Sequence, residues 1–275
     1  MEVIYSNLAM KQWVNERDCG VVGFVPTMGA LHKGHLSLVE QANKQCDIVV
    51  VSIFVNPTQF NNTIDLKKYP TKIDEDLELL RKSNVNMVFA PDSIEEVYAN
   101  EKPVIFEFES INNVMEGKFR NGHFEGVGRV VKLLLELIEP NFAFFGEKDF
   151  QQLLIIKKMV DQFEIETNII GCETVREADG LAMSSRNLLL DLDERKKANQ
   201  IYKALKHCRE SFNINNMDSL EKKCFDLLKE FSDPEYFEIR KSKDLSKKGG
   251  IQDEWRAFVA SKVGSVRLID NIALN

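Results

Sequence analysis

A chain of 275 residues, 44% hydrophobic and 29% charged, is long enough to bury one large core or two modest ones. Its 43 acidic side chains outnumber 36 lysines and arginines for a net charge of −7, which argues against nucleic acid or anionic membrane as partner and leaves any anionic ligand to a local positive site. Cys19, Cys46, Cys172, Cys208 and Cys224 lack C-x-x-C spacing, no apolar run reaches membrane-spanning length, and MEVIYSNLAMKQW has neither a basic n-region nor a continuous apolar h-region, so neither zinc nor disulfides are indicated and a cytoplasmic location is expected.

Val21–Val25 predicts a buried strand, and Leu36, Leu38, Val39 and Ala42 mark one face of a helix over Lys33–Gln45. Between them, VPTMGALHKGH places His32 and His35 around Gly34 at a helix N-terminus. Unpaired N–H groups and the positive end of the helix dipole attract anions there, phosphate above all. The glycine lets a phosphate approach the backbone, and imidazole can donate to it. The plainer alternative is a tight turn at Gly29 and Gly34 with histidines decorating a cap.

The next strand, Ile48–Val55, ends at Asn56 and Pro57, which stop a strand in any case; Gln59 is expected to face the histidines' crevice. A helix over Ile73–Lys82 opens with the acidic IDEDL, which suits a helix N-terminus better than a metal site. Strands over Asn86–Ala90, Val104–Phe108 and Phe142–Phe145, with helices over Gly122–Ile138 and Asp149–Phe163, continue the alternation. Arg120 and His123 stand at one of these helix starts without an assigned role. The pattern predicts an α/β fold around a parallel, doubly wound sheet, which binds ligands beyond the carboxyl ends of its strands.

Two further polar clusters fall at such places. In FFGEKDFQQ, Gly146 opens a turn from which Lys148 can reach a phosphate, followed by Gln151 and Gln152, whose amides suit a hydroxyl or carboxylate. A solvated charge run is the alternative. In GLAMSSRN, hydroxyls and a guanidinium supply donors for a polyphosphate, or form an ordinary loop ending in a cap. After a strand over Ile165–Ile170 the texture changes. Helices are predicted over Asp193–Phe212 and Asp218–Phe231, then strands over Tyr236–Lys241, Ala257–Val263 and Ser265–Ile272, which makes a smaller α+β domain from a boundary near Cys172.

PTMGALHKGH, VNPTQF, GHFEGV, FGEKDFQQ, LAMSSRN and RLIDNI occur in the order and spacing of the pantothenate synthetase (pantoate–β-alanine ligase) family, and the resemblance runs from about Gly23 to Ile272. It implies a Rossmann-like nucleotide- and pantoate-binding domain over residues 1–172, of the nucleotidyltransferase type that carries an H-x-G-H motif, a C-terminal lid over 173–275, and a homodimer. It implies ATP-dependent condensation of pantoate with β-alanine through a pantoyl adenylate, with AMP, pyrophosphate and pantothenate as products, ATP as co-substrate and Mg²⁺ as cofactor without assigned protein ligands. Met28, Gly29, Ala30, Leu31, His32, Lys33, Gly34 and His35 would line the ATP site, with His35 catalytic. Gly146, Glu147, Lys148 and Asp149 would form its second part, Val175 would meet adenine, and Met183, Ser184, Ser185 and Arg186 would close over the phosphates. Gln59 and Gln152 would hold pantoate, Gln59 also bordering β-alanine. A nicotinamide-dependent oxidoreductase is disfavoured because the first strand–helix turn lacks G-x-G-x-x-G. Another adenylate-forming enzyme with the same histidine motif, or a nucleotide-binding protein without turnover, remain the alternatives.

Overall fold

The structure is a computed structural model, and residues 1–99 and 102–275 are described. The first strand, β1 (Glu2–Ile4), is followed by α1 (Asn7–Glu16), β2 (Val22–Thr27), α2 (Lys33–Gln45) and β3 (Ile48–Ile53). Two helices, α3 (Thr63–Lys68) and α4 (Ile73–Arg81), lead to β4 (Met87–Phe89) and α5 (Ile94–Tyr98). Then come α6 (Met115–Phe119), α7 (His123–Ile138), β5 (Phe142–Gly146), α8 (Phe150–Gln162) and β6 (Asn168–Cys172). These six strands form one parallel sheet in the order β1-β4-β3-β2-β5-β6.

That order has a functional consequence. From β2 the chain winds outward through β3 and β4, then returns to place β5 on the other side of β2. The loops leaving β2 and β5 therefore diverge and open a crevice at their carboxyl ends, where doubly wound sheets bind ligands. Both faces of the sheet are covered, so the strands read as nearly unbroken apolar runs whose neighbours point to opposite sides. Phe24, Val50 and Phe145 pack with α7 and α8, while Val25, Val51 and Phe144 pack with α2 and α4. On α7, Phe124, Val127, Val131, Leu134 and Ile138 recur at helical spacing, and each is almost fully buried.

The remaining chain forms α9 (Leu192–Ala198), α10 (Gln200–Ser211), α11 (Met217–Leu228) and a three-stranded antiparallel sheet, β7 (Asp233–Lys241), β8 (Trp255–Val263) and β9 (Val266–Ala273). One face of this sheet packs on α10 and α11 in a core of its own, around Trp255, Leu205 and Ile239. Phe258, Ala260 and Tyr236, on the other face, join the large core. A buried ionic knot ties α6 to the small sheet: Glu116 on α6 accepts from Arg267 at 2.6 and 2.7 Å and from the Tyr236 hydroxyl at 2.8 Å. Burial alone would raise the Glu116 pKa, but Arg267, Arg120 and Tyr236 hold it down at about 2.

Three expectations are corrected. Val104–Phe108 is not a strand. The sheet edge beyond β4 is filled by β1, a three-residue strand too short to show a period. The Val104–Phe108 segment instead crosses α7 and α8, where the side-chain amide of Gln162 does the work of a neighbouring strand: Oε1 accepts from Glu107 N at 3.0 Å and Nε2 donates to Ile105 O at 2.9 Å. The helix expected over Asp193–Phe212 is two helices interrupted at Asn199. The strand expected over Ile165–Ile170 runs over Asn168–Cys172, because Glu164 adopts a left-handed φ of 52° and Thr167 turns its hydroxyl to Pro140 O at 2.9 Å.

Candidate active site

A cavity of about 230 Å³ opens at the carboxyl ends of β2, β3 and β5 and is closed on its far side by the segment from Glu173 to Arg186. The loop leaving β2 enters it through two left-handed residues, Gly29 at φ 79° and Ala30 at φ 49°. Only glycine adopts such a φ freely, and a Cβ on Gly29 would stand 3.0 Å from the Asp76 carboxylate. Asp76, on α4 and 1% exposed, accepts from Ala30 N at 2.8 Å and Leu31 N at 2.7 Å. Burial raises the Asp76 pKa, and these two N–H groups draw it back. The acidic helix start thus does more than satisfy a dipole: it shapes the histidine loop.

His32 is the N-cap of α2, and its Nδ1 accepts from Gly34 N at 3.1 Å. His35 reaches back, its Nδ1 accepting from His32 N at 3.3 Å. This reciprocal cap, normally built from Ser or Thr with Glu, is made here by two imidazoles whose ring centroids lie 4.0 Å apart. Because each Nδ1 accepts, each ring carries its proton on Nε2 and is a neutral donor through that atom. Burial, then the neighbouring Lys148 charge, lowers the His32 pKa to about 4; burial, then His32 and Lys148, lowers His35 to about 3.

The loop leaving β5 supplies Gly146, Lys148 and Asp149 to the same wall, and Lys148 stands 3.6 Å from Asp149. The first turn of α8 separates two adjacent glutamines. Gln152 lines the cavity, whereas Gln151 is buried outside the main cavity, donating to Ile111 O and Val114 O at 2.7 and 2.9 Å. Beyond β3, the turn Pro57–Gln59 brings Gln59 beside Met28 and Asn56. Its carbonyl accepts from His123 Nδ1 at 2.8 Å and Arg120 Nη2 at 3.3 Å. Since Arg120 Nη1 can only donate to His123 Nε2, at 3.0 Å, the His123 proton sits on Nδ1. Burial, then the Arg120 charge, lowers the His123 pKa to about 4. Gly126, one turn further along α7, has no room for a side chain: a Cβ would lie 2.8 Å from Gln59 N and closer still to the Thr58 carbonyl. Asn56 Nδ2 adds a bond to Gly126 O at 3.2 Å.

Val175, Met183, Ser184, Ser185 and Arg186 line the opposite wall. Ser185 spends its hydroxyl proton on Ala30 O at 3.0 Å and so joins this segment to the histidine loop, while Arg186 pairs with Asp65 at 2.9 Å. Of the residues singled out from the sequence, Gly29, Ala30, Leu31, Lys33 and Glu147 do not line the cavity. The first three belong to the loop held by Asp76, Lys33 is exposed, and Glu147 pairs with Arg256 at 3.1 Å. Asp76, Asn56, Arg120 and His123 are the residues whose structural roles the sequence left unassigned. Among the described residues no group of three or more His, Cys, Asp or Glu is gathered as for a metal ion, and no helix is long and apolar enough to cross a membrane.

Known proteins share this fold over nearly the whole chain. A pantothenate synthetase from Christiangramia forsetii is 48% identical over 260 residues, 92% of each chain. The crystal structure of pantothenate synthetase from Thermus thermophilus superposes with a TM-score of 0.91 at 36% identity, covering 100% of this chain and 99% of that one. Pantoate-beta-alanine ligase from Francisella tularensis, crystallised with beta-gamma ATP and beta-alanine, gives 0.84 at 37% identity, covering 100% and 98%. With residues 2–273 also matching the model of the pantoate-beta-alanine ligase family, the chain belongs to that family of carbon–nitrogen bond-forming ligases.

Proposed function

We propose that this cavity condenses pantoate with β-alanine at the expense of ATP, by way of a pantoyl adenylate, releasing AMP and pyrophosphate. The observation that carries the reading is the pair of neutral, Nε2-protonated imidazoles facing a cavity that also holds Lys148, Gln59 and Gln152. In the first step the pantoate carboxylate attacks the α-phosphate and pyrophosphate leaves, so the protein must align two anions and stabilise growing negative charge; it needs no covalent nucleophile. His32 and His35 donate from one side and Lys148 from the adjacent turn. Met183, Ser184, Ser185 and Arg186 face them across the cavity, and the backbone at Val175 serves the adenine. Gln59 and Gln152 hold pantoate by its hydroxyls and carboxylate, Gln59 also bordering the amine that later attacks the acyl carbon. The walls of the cavity shield the adenylate from water until then.

Mg²⁺ fits as an ion held by the phosphates and water rather than by a protein cage: Asp149 brings a half-exposed carboxylate to the wall. Bound there, it would neutralise charge on the leaving oxygens. We place the division between a nucleotide- and pantoate-binding unit and a lid at Cys172, supported by the separate apolar cluster beyond it. The assembly is proposed as a homodimer, testable by sedimentation equilibrium, and five unpaired thiols suit the cytoplasm.

Isotope exchange tests the chemistry. With ATP, Mg²⁺ and pantoate alone, labelled pyrophosphate should enter ATP, because the amine acts only after pyrophosphate has left. Strict dependence of the exchange on β-alanine, or ADP as the nucleotide product, would overturn the adenylate route.

A further inference from the structure

Asp270 and Asn271 stand side by side on β9, each 3% exposed, and the reaction as derived gives neither a task. Asn271 Nδ2 donates to the main-chain oxygens of Glu147 and Lys148, both at 2.9 Å. Its Oδ1 accepts from Arg256 Nη1 at 2.5 Å. A guanidinium only donates, so Arg256 fixes which end of the amide is oxygen and leaves both amide protons for the turn. Arg256 also reaches the Glu147 carboxylate at 3.1 Å and lies over the Phe150 ring, 4.0 Å from its centroid. Asp270 holds a different segment. It accepts two bonds from Arg176, at 2.6 and 3.0 Å, and Arg176 Nη1 donates to Gly180 O at 3.1 Å. Arg176 and Gly180 belong to the stretch that ends in Met183–Arg186. Successive residues of a strand point to opposite faces, so one dipeptide can grip two elements.

We propose that Asp270 and Asn271 are positioning residues for adenylation. Asn271 sets the Glu147–Asp149 turn and with it Lys148; Asp270, through Arg176, sets the segment carrying Met183–Arg186. The small sheet thereby keeps in register the two sides of the rim read above as the triphosphate site, on which reading this inference rests. A displacement of about 1 Å at either side is enough to slow the chemistry on the order of 100-fold.

Asn271→Asp separates this role from a merely structural one. The carboxylate accepts from Arg256 at least as well as the amide did, but it presents oxygen to two carbonyl oxygens where there were two donors. In pyrophosphate exchange the variant, folded by circular dichroism, should lose roughly 10–100-fold in kcat/KM for ATP, while the KM for pantoate changes by less than about threefold. Because Asn271 acts through Lys148, Asn271→Asp combined with Lys148→Ala should exchange no more slowly than Lys148→Ala alone. If the aspartate variant does not fold, Asn271→Ser, which keeps one donor, carries the same comparisons. Unchanged ATP dependence, or equal loss for ATP and pantoate, would overturn the assignment. Failure of the wild-type enzyme to exchange pyrophosphate would instead strike the triphosphate reading beneath it.

Discussion

Replacing Asp76 by Asn removes one oxygen from a carboxylate that serves two consecutive backbone N–H groups, at 2.8 and 2.7 Å. The amide keeps one acceptor and turns its NH₂ toward the other N–H. Losing a charged, buried hydrogen bond costs about 1.5–3 kcal/mol. In a chain of this size that lowers the melting temperature by roughly 3–12 °C. The catalytic consequence is separate. Ala30 sits at φ 49°, a conformation that costs a non-glycine residue about 1–2 kcal/mol and is held here by the same carboxylate. Once released, Ala30 relaxes toward negative φ, and the reciprocal cap of His32 and His35 starts from a shifted loop. A shift of about 1 Å predicts adenylation slowed on the order of 100-fold. Thermal melts with pantoate-dependent pyrophosphate exchange measure both effects on one preparation. A variant that melts earlier yet exchanges at the wild-type rate would show that Asp76 supports the fold only, and the argument that it shapes the site would fail.

His35→Ala should leave the fold intact and slow adenylate formation by roughly 10²–10³, the usual loss when one preorganised donor to developing charge is removed; single-turnover rates near wild type would refute that role. Gln152→Ala should weaken pantoate far more than ATP, and equal losses in the two apparent affinities would assign Gln152 a structural part. Stability should fall on acidification. His123 titrates near 4 in the fold against 6.5 for a free histidine, so below pH 6.5 the unfolded chain takes up a proton that the fold refuses, at about 2 kcal/mol by pH 5. His32 and His35 act in the same direction, whereas Glu116, held at about 2, loses its contribution only as the pH falls from the ordinary value of 4.5 toward about 2. Urea midpoints that do not change between pH 7.5 and 5 would contradict the neutral histidines.

What could be read in the sequence was what repeats or what is bound to a local turn. Strand–helix alternation foretold the parallel sheet, and H-x-G-H and G-E-K-D marked the loops leaving β2 and β5. Their meeting follows from strand order, which periodicity does not encode. Val104–Phe108 has the composition of a strand, and nothing nearby announces that Gln162, more than fifty residues on, will supply its partners. Asp76 is likewise one of three acids at a helix start, and only burial against Ala30 and Leu31 distinguishes it from Asp74 and Glu75. Arg120 and His123 were visible as polar residues before an apolar helix, but their work is on the carbonyl of Gln59, sixty residues earlier in the chain.

The contact of α7 with the Pro57–Gln59 turn bears on the entropy of association. A three-residue turn after a strand ordinarily flexes on its own, and a ligand that bound it would have to still it. Here His123 grips the turn's last carbonyl while Gly126 admits its backbone against the helix, so the turn cannot move unless the most deeply apolar helix of the large core moves with it. Ordering of this wall is therefore complete when the chain folds. The wall meets its ligand already shaped, and the freedom surrendered on binding is left to the ligand and to the opposite wall.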